Sequence, residues 1–218
     1  ALELHLNILW GVVSVTNPPP QPHPTTISYF NASLNGVQGI HGIAKLVGQA
    51  SITPHVMATV ANLKSDVLKA KVKSNLARDI SRVLEAHIVE MFRGVSGLGL
   101  EVWQPDFTGS PDSIYNSAHE LVALQSFRTV LTTGGYNFLQ PDLRFATDAH
   151  LHRKLYRHII FSYQRKRLEL ESREAGGLAE RNKMTNVYAR RLKVCGYLMM
   201  LEILLKRPVS RPRQEGNS

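Results

Sequence analysis

Apolar residues recur every three or four positions along most of the chain, which is the spacing of amphipathic α-helices. The longest such region covers residues 53–93, and Thr53 followed by Pro54 predicts its N-terminus. Ser74-Asn75 interrupts the region and can divide it into two helices. Its lysines predict a basic, solvent-exposed face with some capacity for phosphate contacts: Lys64, Lys69, Lys71 and Lys73.

Three further helices are predicted towards the C-terminus. The first begins at Ser110-Pro111 and stops at Gly134-Gly135. Thr147 is the expected N-cap of the second, which covers residues 148–173. After a glycine pair, the third runs over about residues 178–206.

The N-terminal part of the chain follows a different pattern. Between residues 2 and 8, apolar residues alternate with polar ones, which predicts an extended segment. A helix is also possible, because Leu2, Leu6 and Leu9 fit one face. Five prolines follow within residues 18–24, and this density predicts a stiff polyproline linker.

We therefore predict an all-α fold, an irregular bundle of five to six helices with a short extended N-terminal arm. The arm and the linker cover residues 1–24, the helical domain residues 25–207 and a disordered basic tail residues 208–218. A chain of 218 residues, 43% of them hydrophobic, can bury one core of ordinary size. Cys195 is the single cysteine, so no disulfide within the chain is expected and an intracellular location is favoured.

Positive charge is concentrated in the last third of the chain. Residues 151–218 contain 16 Lys/Arg and 6 Asp/Glu, whereas residues 1–150 contain 10 and 11. The net charge of +9 thus lies on a basic C-terminal third, which predicts a polyanionic partner and, as first hypothesis, a nucleic acid of unknown type. The expected phosphate contacts are the basic residues of the last two predicted helices and the tail: Arg153, Lys154, Arg157, Arg165, Lys166, Arg167, Arg181, Lys183, Arg190, Arg191, Lys193, Arg211 and Arg213.

A helical wheel refines this assignment for residues 151–170. Apolar residues and tyrosines occupy one half, most of the basic residues the other, and Lys166 and Arg167 fall nearer the apolar side. Tyrosines can stack on unpaired bases, although their apolar neighbours favour core packing. The tyrosines concerned are Tyr156, Tyr163 and Tyr188.

No catalytic signature accompanies these features, and we predict a protein that is not an enzyme and has no cofactor. Asp148-Ala149-His150-Leu151-His152 resembles the Asp-x-His-x-His metal motif of amidohydrolase barrels. On a helix, however, His150 and His152 point about 200° apart, so we expect no shared metal ion. Cys195 lies in an apolar stretch, where a buried thiol is unreactive.

The main alternative function is that of a structural or assembly subunit of an oligomer, shell or ribonucleoprotein particle. The apolar N-terminal arm and Val194–Leu205, which is apolar on nearly all sides, would then mediate self-association or contact a protein partner. An unrecognised enzyme and a membrane-surface helix are weaker alternatives. Residues 206–213 fit a nuclear-import signal or a minor-groove arm, which makes a nuclear location one interpretation. No membrane span is expected, since a span needs about 20 apolar residues.

Overall fold

The computed structural model describes residues 1–14, 17–34 and 39–185. These residues form an irregular helical bundle without a strand, which confirms the all-α prediction. A π-helical segment (His158–Gln164) joins the helices Ala149–Arg157 and Arg165–Arg173. Residues 177–185, further along the chain, are helical as well. The helices with both ends described are α1 (Leu2–Leu9), α2 (Pro24–Ser33), α3 (Gly39–Gly48), α4 (Pro54–Ala70), α5 (Asn75–Ile80), α6 (Glu85–Gly97), α7 (Ile114–Thr132), α8 (Ala149–Arg157) and α9 (Arg165–Arg173).

Helix α7 lies at the centre of the bundle. It packs against α1, α2, α3, α6 and α8, and its buried residues include the polar side chains of His119 and Glu120. Polar groups that a surrounded helix buries are tolerated chiefly when they are hydrogen bonded. The one side of α7 that stays open carries Leu121, Leu124 and Arg128, which line a cleft described below.

The described residues contain more helices than the five or six predicted, partly because residues 53–93 form three. Thr53 is the N-cap of α4, as predicted, and its hydroxyl accepts a hydrogen bond from the Val56 N–H at 3.2 Å. Ser74 separates α4 from α5 by accepting a hydrogen bond from the Ala77 N–H. Leu84 then has extended backbone and starts α6, a break that the apolar spacing alone does not show.

Two predicted helix starts lie close to the observed ones. The hydroxyl of Ser113, rather than the Ser110-Pro111 pair, caps α7 by accepting a hydrogen bond from Asn116 N–H. Asp148, rather than Thr147, caps α8, because its carboxylate accepts a 2.9 Å hydrogen bond from Leu151 N–H. Side chains that bond to the third N–H beyond them set the start of a helix.

The prediction of an extended N-terminal arm is wrong, and the alternative of a helix holds. Residues 2–9 form α1, and seven of these eight residues are buried against α7, α6 and α5. The polar residues His5 and Asn7 are buried together with the leucines. Alternation of polar and apolar residues carries no information on structure when every face of the segment is inside the core.

The proline-rich segment is packed against the helices rather than extended away from them as a spacer. Pro19 and Pro22 are buried, and the side-chain oxygen of Gln21 accepts a hydrogen bond from Phe107 N–H at 3.2 Å. Pro24 begins α2, in the position where its missing N–H costs nothing. The segment therefore joins α1 to α2 as part of the folded body.

The π-helical segment keeps one side of the C-terminal helices buried. The buried residues fall every four positions at His152, Tyr156, Ile160 and Gln164. In an α-helix a four-residue step turns more than a full circle, so such a stripe would drift. A π-helix has more residues per turn and compensates for this drift. The α-helical wheel was therefore wrong about its apolar half: Leu155 is exposed while Gln164 is buried.

Candidate functional site

Six of the basic residues predicted to contact phosphate are exposed in the described part of the chain: Arg153, Lys154, Arg165, Lys166, Arg181 and Lys183. Arg165 forms an ion pair with Glu169 at 3.4 Å, and Lys183 forms one with Glu180 at 3.8 Å. Both pairs are solvent exposed, and such pairs contribute little stability. These arginine and lysine side chains are thus held only loosely by the protein.

Exposed cations line the outer side of the last helices. Positions halfway between the buried residues point outwards, and they include Lys154, His158 and Lys166, all exposed. Arg173 follows Lys166 by seven residues and therefore shares its face of α9. We call Lys154, His158, Arg165, Lys166 and Arg173 the outer basic face. Within the described residues, Lys154, Lys166 and Arg173 form no ion pair.

Arg153 and Arg157, by contrast, form hydrogen bonds with carboxylates of the protein. Their Nε atoms donate to the two oxygens of Glu120, at 2.6 and 3.0 Å. Arg157 also donates to Asp112 at 2.7 Å. The side chain of Glu120 is only 5% exposed, so these arginines neutralise a carboxylate that α7 carries into the bundle. Hydrogen bonds to Asp112 and Glu120 raise the pKa of Arg157.

Arg167 is also hydrogen bonded to other residues of the protein. It is 7% exposed, and it donates to the side-chain oxygen of Gln164 and to the carbonyl of Asn17. Its guanidinium lies 5.5 Å from the centre of the Tyr163 ring. Burial lowers the pKa of this arginine. The wheel had placed Arg167 near the apolar side, and the structure agrees with that placement.

The tyrosines divide between core and surface. Tyr156 is fully buried, and burial raises the pKa of its hydroxyl well above the usual value. Tyr163 is 47% exposed beside the outer basic face. Of the two tyrosines in question that the structure describes, only Tyr163 presents a ring to solvent.

The remaining predictions for the C-terminus concern residues outside the described ones. They include Tyr188, Cys195, the apolar stretch Val194–Leu205, the tail of residues 208–218, and five predicted phosphate contacts: Arg190, Arg191, Lys193, Arg211 and Arg213.

The histidines of the Asp-x-His-x-His sequence lie on different sides of α8. His150 is exposed, whereas His152 is buried. The His152 ring packs edge-on against the Phe127 ring, with 5.1 Å between the two ring centres. Asp148 serves as the N-cap. Across the described ranges, no group of three or more His, Cys, Asp or Glu side chains could hold a metal ion.

A cleft of about 660 Å³ opens between α3, α7 and α8. Apolar and charged side chains share its surface, and the arginines come from both α7 and α8. Its main lining residues are Ile40, Asp112, Glu120, Leu121, Leu124, Arg128, His152, Arg153 and Arg157. This mixture of a partly apolar wall and a few charged groups is typical of small-ligand sites.

A buried hydrogen-bonded histidine is the main polar feature of the core. The His5 ring nitrogens lie 2.7 Å from the Tyr136 hydroxyl and 2.9 Å from the Ser126 hydroxyl. Ser126 donates to the carbonyl of Val122, so it accepts from Nε2–H of His5, and Tyr136 donates to Nδ1. Burial lowers the pKa of His5 to about 3. All three side chains are buried, and the arrangement therefore ties α1 to the core rather than presenting a nucleophile.

His119 is a second buried, neutral histidine. Its Nδ1 lies 2.8 Å from the carbonyl of Tyr115, and its own carbonyl accepts a hydrogen bond from the Trp103 indole at 3.1 Å. Burial lowers the pKa of His119 to about 4. Both rings stay uncharged at neutral pH, which suits an apolar environment.

Glu120 and Asp112 were missed by the sequence reasoning, although one of them leaves a signal. Glu120 lies four residues after Asn116 and seven before Phe127, which are buried, so it falls on a core-facing side of α7. A carboxylate at such a position predicts a cationic partner elsewhere in the fold. Asp112 lies in a turn before α7 and leaves no comparable signal.

No family model, no curated protein and no solved structure matches this chain. Among the described helices, none is long and apolar enough to cross a membrane.

Proposed function

We propose that this protein binds nucleic acid through its outer basic face. The observation that carries the proposal is the set of exposed Lys and Arg side chains on one side of α8 and α9, of which Lys154, Lys166 and Arg173 form no ion pair within the described ranges. Residues 151–185 contain nine Lys/Arg and four Asp/Glu. This excess of positive charge favours a polyanion over a neutral partner.

The dimensions of the face support a phosphate backbone as its ligand. Lys154 and Arg173 are 19 positions apart, which corresponds to roughly 28 Å at the rise of an α-helix. A DNA duplex carries one negative charge per ~1.7 Å of its axis, so several phosphates fall within reach. Such contacts release counterions and are independent of base sequence.

The proposed interface is smaller than the set of residues predicted from the sequence. Arg153 and Arg157 donate to Glu120 and Asp112, and Arg167 is buried. Using Arg157 or Arg167 for phosphate would break hydrogen bonds inside the protein, whereas Arg153 bonds to Glu120 through Nε alone and lines the cleft described above. Arg181 and Lys183, exposed in the helical residues that follow α9, extend the interface towards the C-terminus.

Nothing in the described residues favours the alternative of an assembly subunit. That hypothesis rested in part on a free apolar arm, and α1 is buried in the bundle. Its other support, Val194–Leu205, lies outside the described residues.

The test is a titration with fluorescent duplex DNA, single-stranded DNA and RNA at several salt concentrations. We expect the triple variant Lys154→Ala, Lys166→Ala, Arg173→Ala to bind at least about ten-fold more weakly and to lower the salt slope by roughly 2 to 3 for duplex DNA. The matched control replaces Lys45, Arg78 and Arg82, exposed on α3, on α5 and just after α5, and changes the net charge equally.

The control variant is expected to bind nearly as well as the wild type. An equal loss of affinity in both variants would show that only overall charge matters and would contradict this interface. Absence of binding by the wild type to all three nucleic acids at low salt would refute the proposed function itself.

A further inference from the structure

The cleft between α3, α7 and α8 contains guanidinium N–H groups that have no hydrogen-bond acceptor among the described residues. Arg128 extends from the open side of α7 and makes no side-chain hydrogen bond or ion pair in the described part of the chain. Arg153 engages Glu120 through Nε only, which leaves its two terminal nitrogens without a protein acceptor among the described residues. Two guanidinium groups in one cleft can therefore donate to a ligand.

The acidic residues of the cleft do not cancel this charge. Glu120 accepts hydrogen bonds from Arg153 and Arg157, and Asp112 accepts one from Arg157. With both carboxylates paired, the three arginines leave an excess of one positive charge among the lining residues. An anion entering the cleft thus meets donors and two carboxylates that arginines already pair, Glu120 with 5% and Asp112 with 76% of its side chain exposed.

The cleft also has an apolar wall, next to polar lining residues such as Ser117, Gln125 and Thr129. Leu121 and Leu124 lie on the same face of α7 as Arg128, at spacings of seven and four residues, and both are only partly buried. Ile40, 42% exposed, lines the opposite side from α3. A ligand with an apolar body would cover these side chains while its charged end lies near the arginines.

We propose that this cleft binds a small organic anion, a molecule with an apolar body and one carboxylate or comparable group. The apolar body contacts Ile40, Leu121 and Leu124, and Arg128 together with the terminal nitrogens of Arg153 holds the anionic group. A cleft of about 660 Å³ is of the size that accommodates such ligands. The site lies apart from the outer basic face and does not rest on the function proposed above.

Octanoate is a suitable probe, and octanol, which has the same chain without the charge, is its neutral counterpart. We expect octanoate to shift the amide NMR signals of residues along the open side of α7, and octanol to bind at least about five-fold more weakly. The variant Arg128→Gln should weaken octanoate binding by a similar factor. Because the Arg128 side chain is exposed, this variant is expected to keep its fold.

The variant Lys166→Gln, on α9 and far along the helices from Arg153, makes the same change of charge outside the cleft. It should leave octanoate binding within about two-fold of the wild type, since exposed charges at a distance are screened by salt, while weakening nucleic-acid binding. Equal binding of octanol and octanoate, an unchanged affinity in Arg128→Gln, or no signal shift along α7 up to the solubility of octanoate would each overturn the assignment. Those results would leave the nucleic-acid titration unaffected, so the two proposals fail independently.

Discussion

The carboxylate of Glu120 on α7 accepts a 2.6 Å hydrogen bond from Nε of Arg153 on α8. Arg157, one turn further along α8, bonds to the other oxygen of the same carboxylate at 3.0 Å. Two residues that look like surface cations in the sequence therefore balance one buried charge. This contact fixes α8 against the centre of the bundle and shapes one wall of the cleft.

Replacing Glu120 tests how much this contact stabilises the fold. We expect Glu120→Gln to lower the free energy of unfolding by about 1–3 kcal/mol, because a nearly buried group loses charged hydrogen-bond partners. Urea unfolding followed by circular dichroism measures the change. Arg165→Ala, which removes the exposed pair with Glu169, is the matched control and should change stability by less than about 0.5 kcal/mol. Equal effects of the two variants would contradict the assigned role of Glu120.

The buried histidines predict that acid destabilises the protein. The pKa of His5 is about 3 in the folded protein and near its ordinary value of about 6.5 when unfolded. The unfolded state therefore binds the proton first. The stabilisation is complete above pH 6.5 and is lost as the pH falls towards 3, by up to about 1.4 kcal/mol per pH unit. His119, with a pKa of about 4, acts in the same direction.

Unfolding free energies at pH 7, 6, 5 and 4 measure this dependence. We expect His5→Gln to be less stable at pH 7, because the bonds to Ser126 and Tyr136 are disturbed, and to lose less stability between pH 6 and 4. His150→Gln, an exposed change on α8, leaves both buried rings in place and should follow the wild-type curve. A His5→Gln variant with the full wild-type slope would show that His5 does not contribute.

The close approach of α3 and α6 depends on Gly97. A Cβ atom there would lie 2.6 Å from the Cβ of Ala50 and 3.2 Å from the carbonyl oxygen of Leu46. We expect Gly97→Ala to lower the free energy of unfolding by about 1–3 kcal/mol, because one of the helices must move. At Gly48, near the end of α3, a Cβ would meet no atom within 4 Å.

Gly48→Ala is therefore the matched control for Gly97→Ala. It should leave stability unchanged or raise it by up to about 1 kcal/mol, since alanine favours the helix over glycine. Thermal and urea unfolding of both variants give the comparison. Stability losses of similar size would show that the distance between α3 and α6 is not limiting.

Ser74 links the start of α5 to the N-terminal segment through two hydrogen bonds of its hydroxyl group. Its hydroxyl accepts the hydrogen bond from Ala77 N–H and donates to the carbonyl of Val13 at 2.6 Å. Ser113 also caps a helix but makes no second contact of this kind with any described residue. We expect Ser74→Ala to cost about 1–2 kcal/mol and more than Ser113→Ala, because an N-cap alone is worth about 1 kcal/mol. Hydrogen exchange of α1 should rise in Ser74→Ala only, and equal costs would argue against the link.

Local features were predictable from the sequence because they depend on neighbours a few positions apart. The N-cap at Thr53, the break at Ser74 and the amphipathic spacing of α4 all belong to this class. The exposed position of Lys154 also follows from the pattern of α8. By contrast, the wheel failed at Leu155 within α8, and again at Gln164, where an α-helical spacing was assumed although the backbone forms a π-helix.

The sequence by itself determined that this chain is helical, where α4 and α5 start, roughly where α7 and α8 start, and that its last third is basic. These properties follow from hydrogen bonds and apolar spacing within single turns. The tertiary structure decided which polar side chains are hydrogen bonded to other residues of the protein. His5 meets Tyr136 across 131 positions of the chain, and Arg153 meets Glu120 across 33. Such partners are set by how helices pack. Only the folded chain therefore distinguishes Lys154, which forms no ion pair within the described residues, from Arg153 beside it, which bonds to Glu120.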